Sequence, residues 1–252
     1  MQLFTIILSF SLINLSLACS GCIDLDELTF EKILSKFKTA LVKFDQSFPY
    51  GENHEAFAAF SQQINNLTYT ETTNHPDVLI ATVGVKDYGD MENKKLADKY
   101  GVSVEAFPAI KLFNDGNLEQ PISFDLGKEK LTVSKLFLFL KEHASAYVKA
   151  PGCNEELDEL SKQFMAKKSD KNSILKKAKA IVEKKKSIAK FYVTLMKNSI
   201  EKGKEFIALQ QERMTKLLGD KISEKKSEEI NKKLNILMSF KKYDQENKKE
   251  EL

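Results

Sequence analysis

The chain has 252 residues, of which 42% are hydrophobic, with 39 Lys plus Arg against 36 Asp plus Glu and a formal net charge of +3. That length suits one large domain or two smaller ones. The charge is uneven, 25 basic against 17 acidic residues from Pro151 onward and 14 against 19 before it, a break that marks a domain boundary. Arg213 is the only arginine, and the lysines alternate with glutamates at helical spacing. A solvated helix surface is therefore expected in the basic half, and nucleic acid is excluded as a partner. No glycine-rich phosphate loop or serine-nucleophile elbow occurs, and His54, His75 and His143 are scattered, so neither a cofactor nor a metal is expected.

Met1 to Ala18 is apolar and uncharged, and Ser16-Leu17-Ala18 offers small residues where a signal peptidase reads. The run is too short and too interrupted to span a bilayer, so residues 1–18 are expected to be a secretory signal. No other segment is apolar enough to insert in a membrane.

Residues 22–148 then alternate strand and helix patterns. Strands are expected at Cys22–Leu25, Thr39–Phe44, Val78–Gly84, Ala109–Phe113 and Ile122–Leu126, the third being a near-continuous β run typical of a strand covered on both faces. Helices are expected from Thr29 through Phe37, over Glu52–Ile64, over Met91–Tyr100 and over Val133–Tyr147. Asn114-Asp115-Gly116 reads as the turn of a closing hairpin. The order β-α-β-α-β-α-β-β-α is that of an α/β thioredoxin-like domain.

After a linker at 149–153, residues 154–240 read as an all-α helical bundle. Leu157, Leu160 and Phe164 form one stripe, Ile174, Ala178 and Ile181 another. Phe191, Leu195, Phe206 and Leu209 lie on one long helix, and Ile230, Leu234, Leu237 and Met238 on a last one. Each is apolar on one side, so the four helices are expected to pack on each other. Turns are expected at Lys167–Asp170 and Gly219-Asp220. Residues 241–252 are polar and read as a flexible tail. It ends in Lys249-Glu250-Glu251-Leu252, close to the Lys-Asp-Glu-Leu address read by a retrieval receptor. Signal and address together predict residence in the endoplasmic reticulum lumen. Asn66-Leu67-Thr68 fits an N-glycosylation acceptor.

In a thioredoxin-like domain the loop after the second strand faces the X-Pro turn before the fourth. Phe48, Pro49 and Tyr50 occupy the first and Phe107-Pro108 the second, where a cis peptide bond is expected. Backbone groups beside that proline would pair with an extended segment, gripped by the neighbouring rings. Asp45 would complete a polar rim, and Lys86, Asp87 and Tyr88 follow the third strand at the same end of the sheet, Asp87 and Tyr88 serving either that contact or a homodimer interface.

The chain resembles the redox-inactive, D-domain-bearing relatives of protein disulfide isomerase, the Windbeutel type. The resemblance is carried by Val42 to Glu52 (VKFDQSFPYGE), Leu79 to Gly89 (LIATVGVKDYG), Lys233 to Leu237 (KLNIL) and the terminal Lys-Glu-Glu-Leu. It implies a homodimeric escort of secretory client proteins, with a client resembling a Golgi sulfotransferase, bound largely through the thioredoxin-like domain.

Active relatives carry a dithiol where the second strand meets the next helix, at which helix-terminal amides depress a thiol pKa. Here the junction reads Phe48-Pro49-Tyr50-Gly51-Glu52, and the relay carboxylate of active relatives aligns with Lys43. A Cys-X-X-Cys does occur, Cys19 to Cys22, but before the first strand, where no helix begins. It is either a candidate redox pair or a terminal disulfide. Cys153, in the linker, reads as buried, reactive or intermolecular. Three functions follow: a non-enzymatic chaperone or escort, a thiol-disulfide oxidoreductase acting through Cys19 and Cys22, and an assembly adaptor acting through the helical domain.

Overall fold

The computed structural model describes residues 19–68, 77–127, 129–183, 187–203, 205–219 and 221–249. The signal at 1–18, His75, Asp220 and the final Glu250, Glu251 and Leu252 lie outside the described residues.

Strands β1 (Ile23–Asp24), β2 (Thr39–Gln46), β3 (Val78–Val85), β4 (Ala109–Asn114) and β5 (Ile122–Ser123) form one sheet in the order β1-β3-β2-β4-β5. β1 and β2 run parallel to β3, while β4 is antiparallel to β2 and β5 to β4. Period-two alternation sends Ala40, Val42 and Phe44 to one face of β2 and Leu41 to the other. On the first face they meet α1 (Phe30–Leu34) and α3 (Lys94–Lys99), where Phe30, Phe44, Tyr100 and Phe113 stack with centroids 5.2–6.1 Å apart. On the second face Leu41, Ile80 and Leu112 meet Phe57 and Phe60 of α2 (Glu52–Thr68) and Phe137 of α4 (Val133–His143). This is the thioredoxin-like α/β domain expected, with its hairpin closed at Asp115 and Gly116, both at positive φ.

Several element bounds differ from expectation, each for a local reason. The helix expected from Met91 starts at Lys94, because Met91 and Asn93 adopt positive φ (54° and 61°). The helix expected to reach Tyr147 stops at His143. Ala144 turns extended, and the chain beyond it is tied to the sheet: Ala146 N–H donates to Thr39 Oγ1 (3.0 Å) and Ser145 N–H to Asn114 Oδ1 (3.0 Å). β5 keeps only two of the five residues expected of it.

The second domain has five helices among the described residues, α5 (Glu155–Met165), α6 (Lys171–Glu183), α7 (Lys190–Lys202), α8 (Glu205–Gly219) and α9 (Glu224–Lys249). The single long helix expected to carry Phe191 through Leu209 is split, because Gly203 takes φ +90°, a left-handed conformation that ends α7. The tail expected to be flexible from Lys241 instead continues α9 to Lys249. Neither Gly nor Pro interrupts α9, and a helix nucleated by its packed middle propagates at little cost. That middle departs from a one-sided stripe: Leu234 through Phe240 are all buried, since α9 packs against the bundle and also against α4. The bundle therefore does not pack only on itself.

The junction between domains is polar at its centre. Asp158 of α5 is almost fully buried. Its Oδ2 accepts from Lys141 Nζ of α4 (3.1 Å) and from Tyr147 Oη (3.0 Å), and its Oδ1 accepts from Tyr192 Oη of α7 (2.5 Å). Lys141 Nζ also donates to Ser239 Oγ of α9 (2.7 Å). Burial pushes both phenols far above their ordinary range, so each is a fixed donor. Cys153, half-buried against both cores, joins this cluster, and burial pushes its thiol up to about 11. Beside it, Gly152 lies so near α9 that a Cβ would fall 2.8 Å from that of Lys232.

Two outcomes are expected. Asp158→Ala strands a buried ammonium and lowers stability by about 3–5 kcal/mol in urea unfolding, while Lys141→Met with Asp158→Leu loses less than Asp158→Ala alone. In the native protein at pH 7–8, Cys153 reacts with a thiol reagent roughly 100-fold more slowly than an ordinary thiol, because raising its pKa from 9.0 to about 11 depletes the thiolate. The sign fixes the pH course: this contribution to stability is whole below pH 9 and is lost as pH climbs toward about 11.

Candidate functional site

The carboxyl end of β2 pairs with that of β3 (Gln46 opposite Val85) and with the start of β4 (Phe44 opposite Ala109). The loops after β2 and β3 and the loop before β4 therefore emerge at one end of the sheet. The Phe107-Pro108 bond between a short 3-10 turn (Val104–Ala106) and β4 is cis, as the sequence pattern predicts.

Two depressions share the Asp45 rim. A groove of about 720 Å³ brings together Asp45, Tyr50, His54, Phe107, Pro108 and Leu126. A neighbouring cleft of about 240 Å³ brings together Asp45, Phe48, Pro49, His54 and Cys19. Phe48 and Tyr50 stand 71% and 82% exposed on either side, far beyond what core packing would leave, and the loop between them is held where Gln46 Nε2 donates to the Phe48 carbonyl (3.2 Å). Lys86, Asp87 and Tyr88 sit at the same end of the sheet but line neither depression. Lys86 is pinned by Glu92 (2.6 Å) and Asp90 (3.6 Å), which hold its pKa above the usual lysine value, mainly through the hydrogen bond to Glu92. Tyr88 and Asp87 are exposed beside it.

Beneath the rim lies a group that the sequence reading did not place in the site. Lys43 faces the same side as Leu41 and is fully buried, its Nζ donating to Asp45 Oδ2 (2.8 Å) and to His54 Nδ1 (3.1 Å) and lying 5.5 Å from the Phe57 ring centre. A lysine ammonium only donates, so His54 accepts at Nδ1. Asp45 Oδ1 in turn accepts from the Gln46 N–H (2.9 Å). The sequence signal was a lone lysine inside the apolar run Ala-Leu-Val-Lys-Phe. Glu52, Asn53, Glu129 and Lys130 also line the groove without having been singled out, since nothing in their spacing marks them.

No sulfur occupies the start of α2: residues 47 to 52 contain no cysteine. Cys19 and Cys22 are paired as a disulfide, and their hairpin is fastened to α2 by Asn65 Nδ2, which donates to the Gly21 carbonyl (3.0 Å). That attachment carries Cys19 into the cleft beside Phe48. Asn66, the expected acceptor, is exposed on the last turn of α2, away from both depressions.

Residues 17–151 match the family description "ERp29, N-terminal domain", and residues 152–240 match "Endoplasmic reticulum protein ERp29, C-terminal domain". The chain belongs to the ERp29 family. It is 37% identical over 231 residues to protein windbeutel of Drosophila melanogaster, covering 89% of this chain and 86% of that protein. It is 30% identical over 234 residues to protein disulfide-isomerase 1 of Dictyostelium discoideum, 89% of this chain but 61% of that one. Among solved structures, the first thioredoxin domain of mouse protein disulfide-isomerase A4 is similar over 54% of this chain and 84% of that chain, at 16% identity and a TM-score of 0.35. Membership of the ERp29 family makes this an endoplasmic-reticulum-associated relative of protein disulfide isomerase, built as a thioredoxin-like domain followed by a helical one.

The floor of the site yields a prediction. Asp45→Ala leaves the Lys43 ammonium buried without its counter-charge and lowers stability by about 3–5 kcal/mol in chemical denaturation. Adding Lys43→Met restores most of that loss. Equal losses in single and double variants would show that the pair does not support the rim.

Proposed function

We propose that this ERp29-family chain is a non-enzymatic chaperone or escort of the endoplasmic reticulum lumen that grips extended segments of secretory client proteins between Tyr50 and Phe107-Pro108. The observation that carries the reading is a pair of exposed rings, Tyr50 on the larger groove and Phe48 on the cleft that shares its Asp45 rim, beside a helix start that bears no thiol. Rings on a rigid sheet end lose little entropy on binding, and apolar contact area rather than chemistry then supplies the affinity. Asp45 gives the groove a charged edge. Lys86, Asp87 and Tyr88, on the adjoining loop, extend the contact or, in a homodimer, face the second copy. The signal at 1–18 delivers the chain to the lumen and Lys249 to Leu252 return it through a retrieval receptor. The escorted cargo travels on to the Golgi, and by the windbeutel likeness resembles a Golgi sulfotransferase.

A second reading has one observation in its favour: Cys19 opens into the same cleft as Phe48. In that reading the Cys19–Cys22 disulfide exchanges with a client dithiol. The helical bundle as a free-standing adaptor surface has no comparable support: α9 packs against α4, α5 and α8 and buries Leu234 through Phe240.

The two leading readings separate cleanly. Phe48→Ala with Tyr50→Ala is expected to weaken binding of a fluorescent aromatic-rich peptide by roughly 30- to 900-fold, since anchor rings in such sites each carry about 1–2 kcal/mol. Cys19→Ser with Cys22→Ser is expected to leave that affinity unchanged, and the unaltered protein to reduce insulin no faster than a no-protein control. Undiminished peptide binding in the aromatic variant refutes the grip, and disulfide turnover lost only in the cysteine variant establishes the redox reading instead.

A further inference from the structure

We propose that Asn66 carries an N-linked glycan whose inner N-acetylglucosamine units lie in the cleft between α2 and the first turns of α9. The inference rests on the lumenal placement argued above, and it concerns the opposite end of α2 from the peptide groove.

Asn66-Leu67-Thr68 supplies the acceptor triplet, and Asn66 projects from the last turn of α2 into solvent. It lines a cleft of about 710 Å³ between the two domains, walled by Gln62 and Gln63 of α2, Ser134 of α4, and Asn231 and Asn235 of α9. That volume falls within the ~300–1,000 Å³ range typical of small-ligand sites.

The lining has the chemistry of a carbohydrate cradle. Carboxamides and a hydroxyl present both donors and acceptors, as sugar hydroxyls and acetamido groups require. Of the charged residues in the lining, Glu228 lies 3.9 Å from Lys232 Nζ, and Glu224 leaves one net negative charge at the mouth. The second observation points at a missing partner: Asn231 Oδ1 is buried and accepts no hydrogen bond, although its Nδ2 reaches Ser227 Oγ at 3.5 Å. A buried amide carbonyl left unsatisfied is uncommon and calls for a donor. Asn231 lines the cleft and its amide is held only by that long Ser227 contact, so a rotation about its last side-chain bond would turn the enclosed carbonyl toward the acetamido N–H or a hydroxyl of a glycan rooted at Asn66. Asn235, by contrast, is committed to the Pro151 carbonyl (3.0 Å) and serves as wall.

The test uses the full chain expressed in cultured animal cells. Protease protection in isolated microsomes first establishes delivery to the lumen; exposure of the chain to protease there sinks the lumenal reading and this inference with it. In the lumenal fraction, a single mobility shift removed by endoglycosidase H is expected, absent from Asn66→Gln and from Thr68→Ala. A protected, folded chain without that shift overturns the inference and leaves the chaperone reading standing. Hydrogen exchange then reads the cradle. Residues 224–235 are expected to exchange several-fold more slowly in the glycosylated protein than in Thr68→Ala, and Asn231→Ala is expected to erase the difference without changing occupancy. Equal exchange with and without the glycan shows a sugar that hangs free, and overturns the cradle.

Discussion

Asp158 is a carboxylate withdrawn from water at the meeting point of two domains, and the arrangement of the molecule depends on how its charge is met. An isolated buried carboxylate is prohibitively costly, so the fold must bring donors to it. Those donors come from separate places in the chain: Lys141 from the last helix of the first domain, Tyr147 from the segment after it, Tyr192 from the middle of the bundle. Each can reach Asp158 only if α4, α5 and α7 hold one relative placement. Ser239 adds α9 to the set through Lys141. Apolar burial joins the domains without choosing a register. The ion pair and its hydrogen bonds choose it, because a slipped packing would leave charge unpaired.

A second buried pair does the equivalent work at the other end of the first domain. Lys43 and Asp45 sit two residues apart on β2, so the pleat turns both toward α2, where His54 and the Phe57 ring receive the ammonium. A catalytic thioredoxin-like site needs an environment poised to gain and lose protons. Here the corresponding volume is filled by a lysine held from three sides. The rim above it is thereby fixed while its rings remain exposed.

The two halves of the fold were legible in the sequence to different degrees. The α/β order could be read directly, because β2 and β3 are long apolar runs and the helices between them keep a 3.6-residue period. Gly203 and the buried run Leu234–Phe240 were harder. A single glycine between two apolar stripes in phase is tolerated in many helices, and only its positive φ reveals the break. The run around Asn235 and Ser239 looks one-sided until the partner on its far side, α4, is known. The loops at Phe48–Tyr50 and Phe107-Pro108 were found from the thioredoxin-like order, in which the loop after the second strand neighbours the turn before the fourth, and antiparallel β2 and β4 bring those two ends together. Lys43 and His54 were not placed in the site, because their meeting depends on strand pleat and helix phase together.

The position of α4 links these observations. Its Phe137 and Leu140 complete the core under the sheet, its Leu138 and Lys141 enter the junction with the bundle, and its first turn walls the cleft that holds Asn66. A helix used on so many sides has little freedom to shift, and neither has the sheet end that it braces through α2. The exposed rings at that end are therefore presented by a scaffold whose position is set from the far domain. Loosening Asp158 would free α4 at that junction, and α4 packs on α2, whose first turn carries His54 beneath the rim.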